Sequence, residues 1–113
     1  MQRDRGYLLG ILDSAQLAVG YLEGASFGEL QSDVQKQDSV IRRLEIMGEA
    51  ARRVSAEGRA ALGGLAWNEM ISLRNAMIHE YDVMDLTIVR DTVKRDLPPL
   101  VRRLEEALRT DME

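Results

Sequence analysis

The chain has 113 residues, with 15 Lys/Arg against 19 Asp/Glu for a formal charge of −4, two Pro, one Trp, one His and no Cys. One domain of this length, residues 1–113, buries roughly two thirds of its unfolded surface and needs no disulfide or structural metal. A lone His without Cys excludes zinc fingers, iron–sulfur clusters, thiol nucleophiles and disulfide scaffolds. The acidic balance argues against non-specific coating of nucleic acid, which rests on many Lys/Arg–phosphate contacts, so any RNA chemistry has to be local.

Apolar residues recur at intervals of three and four, without sustained alternation of period two, and this predicts an all-α fold. The first helix is expected from Asp4 to Glu23, with a stripe of Leu8, Ile11, Leu12, Ala15, Val19 and Leu22, ending at Gly24. Ser26-Phe27-Gly28-Glu29 and Ser32-Asp33-Val34-Gln35 each fit a capping box, so a one-turn helix should precede a second long one. That helix, about 33–55, carries Val40, Leu44, Met47, Gly48, Ala51 and Val54 on one face. Gly48 inside this stripe predicts a close helix–helix approach. Arg42, Glu45, Glu49 and Arg52 fall on the other face and read as solvated surface.

Gly58, Gly63 and Gly64 mark a short helix and a turn before the chain re-enters a helix near Trp67-Asn68. The last segment starts at Asp85, a plausible N-cap. It shows Leu86, Val89, Val93, Leu97, Leu100, Leu104 and Leu108 at steps of 3, 4, 4, 3, 4 and 4. Pro98-Pro99 inside it should kink the helix, since Pro removes a donor and clashes with the preceding turn. No apolar run approaches the ~20 residues that span a bilayer. Met1-Gln2-Arg3-Asp4-Arg5 leads into an amphipathic pattern rather than a secretory segment, so no membrane association and a cytoplasmic location are expected.

Residues 67–82, WNEMISLRNAMIHEYD, break the simple amphipathic rule. At about 100° per residue, Met70, Leu73, Met77 and Tyr81 share one side, while Ile71 and Ile78 lie about a quarter turn away. Such a helix is central in its fold or at a subunit interface. It nevertheless carries Arg74, Asn75 and His79, polar groups that need partners if buried. Arg74 and His79 lie about 140° apart on an ideal helix, so one helix presents them poorly to a single small target. A two-fold dimer could bring both from both chains into one cleft. The competing reading has Arg74 paired with a carboxylate, His79 exposed near a helix end, and Tyr81 packed in the core with its hydroxyl at the surface.

The run Arg74-Asn75-Ala76-Met77-Ile78-His79-Glu80-Tyr81 resembles the R-x4-H-x-Y motif of the HEPN superfamily. Ser26-Phe27-Gly28-Glu29, residues 37–51, Trp67 and Asp96-Leu97-Pro98 resemble its HepT branch in the same order. The resemblance implies an antiparallel bundle of about four to five helices, dimerising through the motif helix. It also implies a metal-independent endoribonuclease toxin of a type VII-like toxin–antitoxin pair, with Arg74 and His79 catalytic, no cofactor and no metal. The implied partner is a minimal nucleotidyltransferase antitoxin that inactivates the toxin by AMPylation of Tyr81; larger assemblies of the dimer with it are left open. Asp82-Val83-Met84-Asp85 departs from relatives that have an aromatic or Gly-containing stretch there, which bears on the substrate rim.

The residue chemistry is compatible with that role. Cleaving RNA without a metal requires proton transfer at the 2′-oxygen and the 5′-oxygen, which suits an imidazole of reference pKa about 6.5, and charge neutralisation at phosphorus, which suits a guanidinium. Asn75 either orients His79 or the phosphate, or makes plain interface hydrogen bonds. An AMP on Tyr81 would block by bulk and by competing for Arg74. The Met residues read as core filling. Arg42-Arg43, Arg52-Arg53 and Arg102-Arg103 read as solvated surface, with phosphate contact as the alternative. Two other functions stay open: a non-catalytic helical dimer or docking subunit, and a nucleotide-binding accessory of a nucleotidyltransferase.

Overall fold

The computed structural model describes residues 3–79 and 85–112, with side chains described for 3–76 and 85–109. Four longer helices organise it: α1 (Arg5–Leu22), α3 (Val34–Arg53), α5 (Trp67–His79) and α7 (Leu97–Met112). Three single-turn helices, α2 (Phe27–Ser32), α4 (Ala56–Ala61) and α6 (Leu86–Asp91), lie between them, and no strand occurs among the described residues. The fold is all-α, as the periodicity predicts, and a helical bundle, as the resemblance implies.

The helix ends follow local chemistry. After α1 the chain reverses at Gly24, whose φ of +74° is the left-handed conformation that a Cβ disfavours. Lys36 Nζ donates to the Tyr21 carbonyl at 3.2 Å, satisfying an acceptor in the last turn of α1. Ser26 Oγ accepts from Glu29 N at 3.1 Å and starts α2, as the first capping box predicts. The second box is not used. Ser32 Oγ instead donates back to the Gly28 carbonyl at 2.9 Å, and Asp33 caps α3 by accepting from Lys36 N at 3.0 Å. Asp33 has the extended backbone an N-cap needs, whereas Ser32 is still the last residue of α2.

α3 occupies the middle, packed on α1 on one side and α5 on the other, while α7 packs on α1. Leu8, Ile11, Leu44, Met47, Val93 and Leu104 are among the fully buried side chains where these faces meet. Removing apolar area of this kind from water, at roughly 25 cal/mol per Å², is the main stabilising term. Arg59 Nη2 donates to the Ala51 and Arg52 carbonyls at 3.2 and 3.0 Å, closing the C-terminal end of α3 with a cation at the negative pole of its dipole. Trp67 is buried, and its Nε1 donates to the Leu62 carbonyl at 3.1 Å, which fixes the start of α5.

The C-terminal stripe is not one uninterrupted α-helix. Between α6 and α7, residues Thr92–Asp96 form a π-helical turn in which Leu97 N donates to the Thr92 carbonyl, five residues back. Pro98 and Pro99 follow in the first turn of α7. Pro cannot donate to a preceding carbonyl, and the π-helical turn places the irregularity of the helix just before the Pro pair. Lys94 Nζ donates to the Ala25 carbonyl at 2.7 Å and ties this turn to the loop after α1. Among the described residues, no helix is long and apolar enough to cross a membrane.

Candidate active site around Arg74

Arg74 sits in the middle of α5 on the side facing α3. Gly48 explains how it comes so close. A Cβ on Gly48 would overlap Arg74 Cβ and would lie 2.7 Å from the Met70 carbonyl oxygen, so only the absent side chain lets the backbones approach this closely. The close approach read from Gly48 is therefore present, and the residue it accommodates is the motif arginine.

The Arg74 side chain is about three-quarters buried, and its guanidinium faces a carboxylate. Its Nη2 lies 3.1 Å from Glu49 Oε2, and its Nη1 donates to Asn75 Oδ1 at 2.9 Å. Its Nε is buried with no acceptor among the described residues. Glu49 also accepts from Arg52 Nη2 at 2.8 Å and from Arg53 Nε at 2.9 Å, so three guanidiniums share one carboxylate. Hydrogen bonds from Arg52 and then Arg53 hold the Glu49 carboxyl down at about 2, with the charge of Arg74 acting in the same direction against the cost of burial. The same bonds to Glu49 raise Arg52 and Arg53 above the ordinary arginine value.

This corrects one expectation. Glu49 does not lie on a purely solvated face, since its side chain is 31% exposed and reaches across to α5. The charge pattern along α3 could not show this, because an i, i+3 Arg–Glu arrangement looks the same whether or not a third helix covers it. Asn75, exposed on α5, is placed beside the guanidinium and not between helices. His79 is the last described residue of α5, and its side chain lies outside the described set, as do Met77 and Ile78; Tyr81 lies outside the described residues altogether.

Two openings flank this region. A cleft of about 320 Å³ is lined by Tyr7 from α1, Arg42, Glu45, Glu49 and Arg53 from α3, and Arg74 from α5. A larger groove of about 950 Å³ runs between α5 and α7, with Met47, Met70, Leu73, Leu97, Pro99 and Leu100 among its apolar walls. Among the described residues, no group of three His, Cys, Asp or Glu is placed to hold a metal ion.

A helical bundle that buries an arginine of an R-x4-H-x-Y motif against an acid on the neighbouring helix fits the HEPN class. The profile of the ribonuclease HepT-like family matches residues 11–107, and the chain belongs to that family. Its relatives agree. It is 32% identical to a candidate RNase of Methanocaldococcus jannaschii over 89% of this chain and 93% of that one. It is 29% identical to a candidate RNase of Caldanaerobacter subterraneus over 98% and 99%. It is 30% identical to a candidate ribonuclease HepT of Thermococcus cleftensis over 90% and 93%. No solved structure gives a significant match. Family membership supports a ribonuclease function for the chain.

Proposed function

We propose that the protein is a metal-independent endoribonuclease toxin that acts as a homodimer and is silenced by a minimal nucleotidyltransferase antitoxin. The observation that carries this reading is the motif arginine itself. Arg74 is held three-quarters buried at the wall of a cleft, with its guanidinium oriented by Glu49 and Asn75. A guanidinium fixed in this way needs little reorganisation to meet a phosphodiester, and losing a comparable stabiliser costs roughly 10²–10³-fold in rate.

In the reaction, the 2′-oxygen attacks phosphorus as its proton is removed, and the P–O5′ bond breaks as the 5′-oxygen is protonated. The products are a 2′,3′-cyclic phosphate and a 5′-hydroxyl. His79 carries the proton transfers, and its counterpart across the two-fold axis supplies the second imidazole when base and acid must be separate groups. Arg74 offsets the charge that builds on the non-bridging oxygens. Asn75 is a positioning residue, acting through its hydrogen bond with Arg74. AMP on Tyr81 would bring a competing phosphodiester to the arginine. A second reading, a non-catalytic docking subunit or nucleotide-binding accessory, draws on the Arg74–Glu49 pair, because an arginine with a structural carboxylate partner has a reason to be present without chemistry.

Cleavage of total RNA in excess EDTA separates these readings, using wild type and His79→Ala, each checked by intact mass for added AMP. The nuclease reading expects unmodified wild type to cut and leave a cyclic phosphate, with His79→Ala folded, dimeric and at least 100-fold slower. Unmodified, dimeric wild type that cuts no RNA would leave the docking reading in its place.

A further inference from the structure

The cluster around Glu49 carries more positive charge than it neutralises. Arg52, Arg53 and Arg74 surround a single carboxylate, a local surplus in a chain whose formal charge is −4. Beyond them on the same helix, Arg42 is 65% exposed and holds Glu45 only loosely, at 3.4 Å. Positions 42, 49 and 53 differ by seven and four residues, so they line one side of α3 over roughly 16 Å. Arg74 closes the row from α5, and Tyr7 faces it from α1, about one-third exposed. These residues wall the 320 Å³ cleft, which is at the small end of ligand-site volumes and suits a single nucleotide.

We infer that this cleft is a subsite for a nucleotide flanking the cleaved bond, with Arg42 and Arg53 on its phosphate and Tyr7 stacked on its base. The inference rests on the nuclease reading, because Arg74 is what joins the cleft to the reacting phosphate. Each element has the chemistry required. Guanidiniums meet phosphate oxygens in pairs, and exposed tyrosine rings stack on bases of any sequence. Glu49 and Glu45 do not repel the strand as isolated acids would, because each is already engaged by guanidinium. Their role is to hold the arginines extended along the helix.

The test is binding of a 12-nucleotide single-stranded 2′-O-methyl RNA, which cannot be cut, measured by fluorescence anisotropy from 50 to 200 mM salt. The protein is free of AMP by intact mass, and cleavage of the matching unmodified RNA is followed in parallel. A single-strand phosphate contact contributes about 0.7 to the slope of log K against log salt. Arg42→Gln and Arg53→Gln should each flatten the slope by about that amount and raise KM with little change in kcat. Arg109→Gln removes the same charge from an exposed position in α7 and should leave the slope as it is. Tyr7→Ala should weaken binding about tenfold at every salt concentration, and Tyr7→Phe should restore it. Arg42 is exposed and, among the described residues, is tied to Glu45 on its own helix, so its variant folds whatever the fate of Arg53→Gln. If wild type binds and cuts while Arg42→Gln and Tyr7→Ala match it in slope and KM, the subsite is refuted and the nuclease stands. If wild type neither binds nor cuts RNA, both fall together.

Discussion

Gly48→Ala probes the link between packing and the site most directly. The new Cβ would meet Arg74 Cβ and sit 2.7 Å from the Met70 carbonyl oxygen. An ordinary carbon–oxygen contact is about 3.3–3.6 Å, so α3 and α5 must separate by about 1 Å. Neither obstacle is the far end of a flexible side chain, and the strain falls on backbone. Overpacking of this kind costs about 3 kcal/mol, and the better helix propensity of Ala returns about 1, for a net loss of about 2 kcal/mol. For a domain of this size that lowers Tm by on the order of 10 °C. Gly20→Ala is the matched control, an exposed position in α1 where a Cβ meets nothing within 4 Å. It should gain about 0.5–1 kcal/mol. Urea titrations of both variants measure the difference, and RNA cleavage at 25 °C measures its consequence. A 1 Å displacement of Arg74 should slow cleavage about 10²-fold while the protein remains folded. Equal stability of the two alanine variants would refute the close approach, and a destabilised but fully active Gly48→Ala would refute the dependence of the site on it.

Two further outcomes concern pH. Asp4 is buried and accepts from Ser55 N at 3.0 Å and Ser55 Oγ at 2.6 Å, and these bonds, the hydroxyl first, hold its carboxyl below the ordinary value. A depressed pKa gives stability that is fully present above about pH 4 and is lost as pH falls through the folded value. Asp4→Ala should cost about 1–3 kcal/mol at pH 7 by leaving the Ser55 groups unpaired, and its urea midpoint should fall less between pH 5 and 3 than that of wild type. Glu49→Gln should likewise flatten the acid limb between pH 4.5 and 2, the interval between its unperturbed and folded values, by a smaller amount because Glu49 is partly exposed to solvent.

The periodicity of apolar residues made the fold readable, because each long helix buries one stripe and the stripes are contiguous in sequence. Leu8, Ile11, Leu12, Ala15 and Leu22 are all buried in α1, as the 3,4 spacing requires. Contacts between distant polar residues left no such trace. Asp4 reads as a charged N-terminal residue until Ser55, 51 positions away, is seen to donate to it. Ser55 in turn falls where the second long helix was expected to end, and it proves to be the N-cap of α4, accepting from Gly58 N at 3.0 Å. Ser32 and Asp33 are both good caps by type, and backbone conformation alone chose between them. Gly48 was legible because a glycine in an apolar helical stripe has few other reasons to be there. That its neighbour would be Arg74 required the register between α3 and α5, which no local pattern encodes.

Net charge is the weakest guide of all here, and the Glu49 cluster shows why. A total of −4 opposes wrapping a long polyanion, yet electrostatic attraction at contact distance depends on groups within about a Debye length, about 10 Å at 0.1 M salt. Within that range Arg52, Arg53 and Arg74 all bond to the carboxylate of Glu49, and Arg42 and Glu45 line the same cleft. A strand held by two or three such contacts should show a salt slope of only about −1.4 to −2.1. A protein of this charge that coated RNA would need a far steeper one. Shallow salt dependence combined with measurable cleavage is therefore the signature of a site that grips a few phosphates locally and lets the rest of the acidic surface turn the strand away.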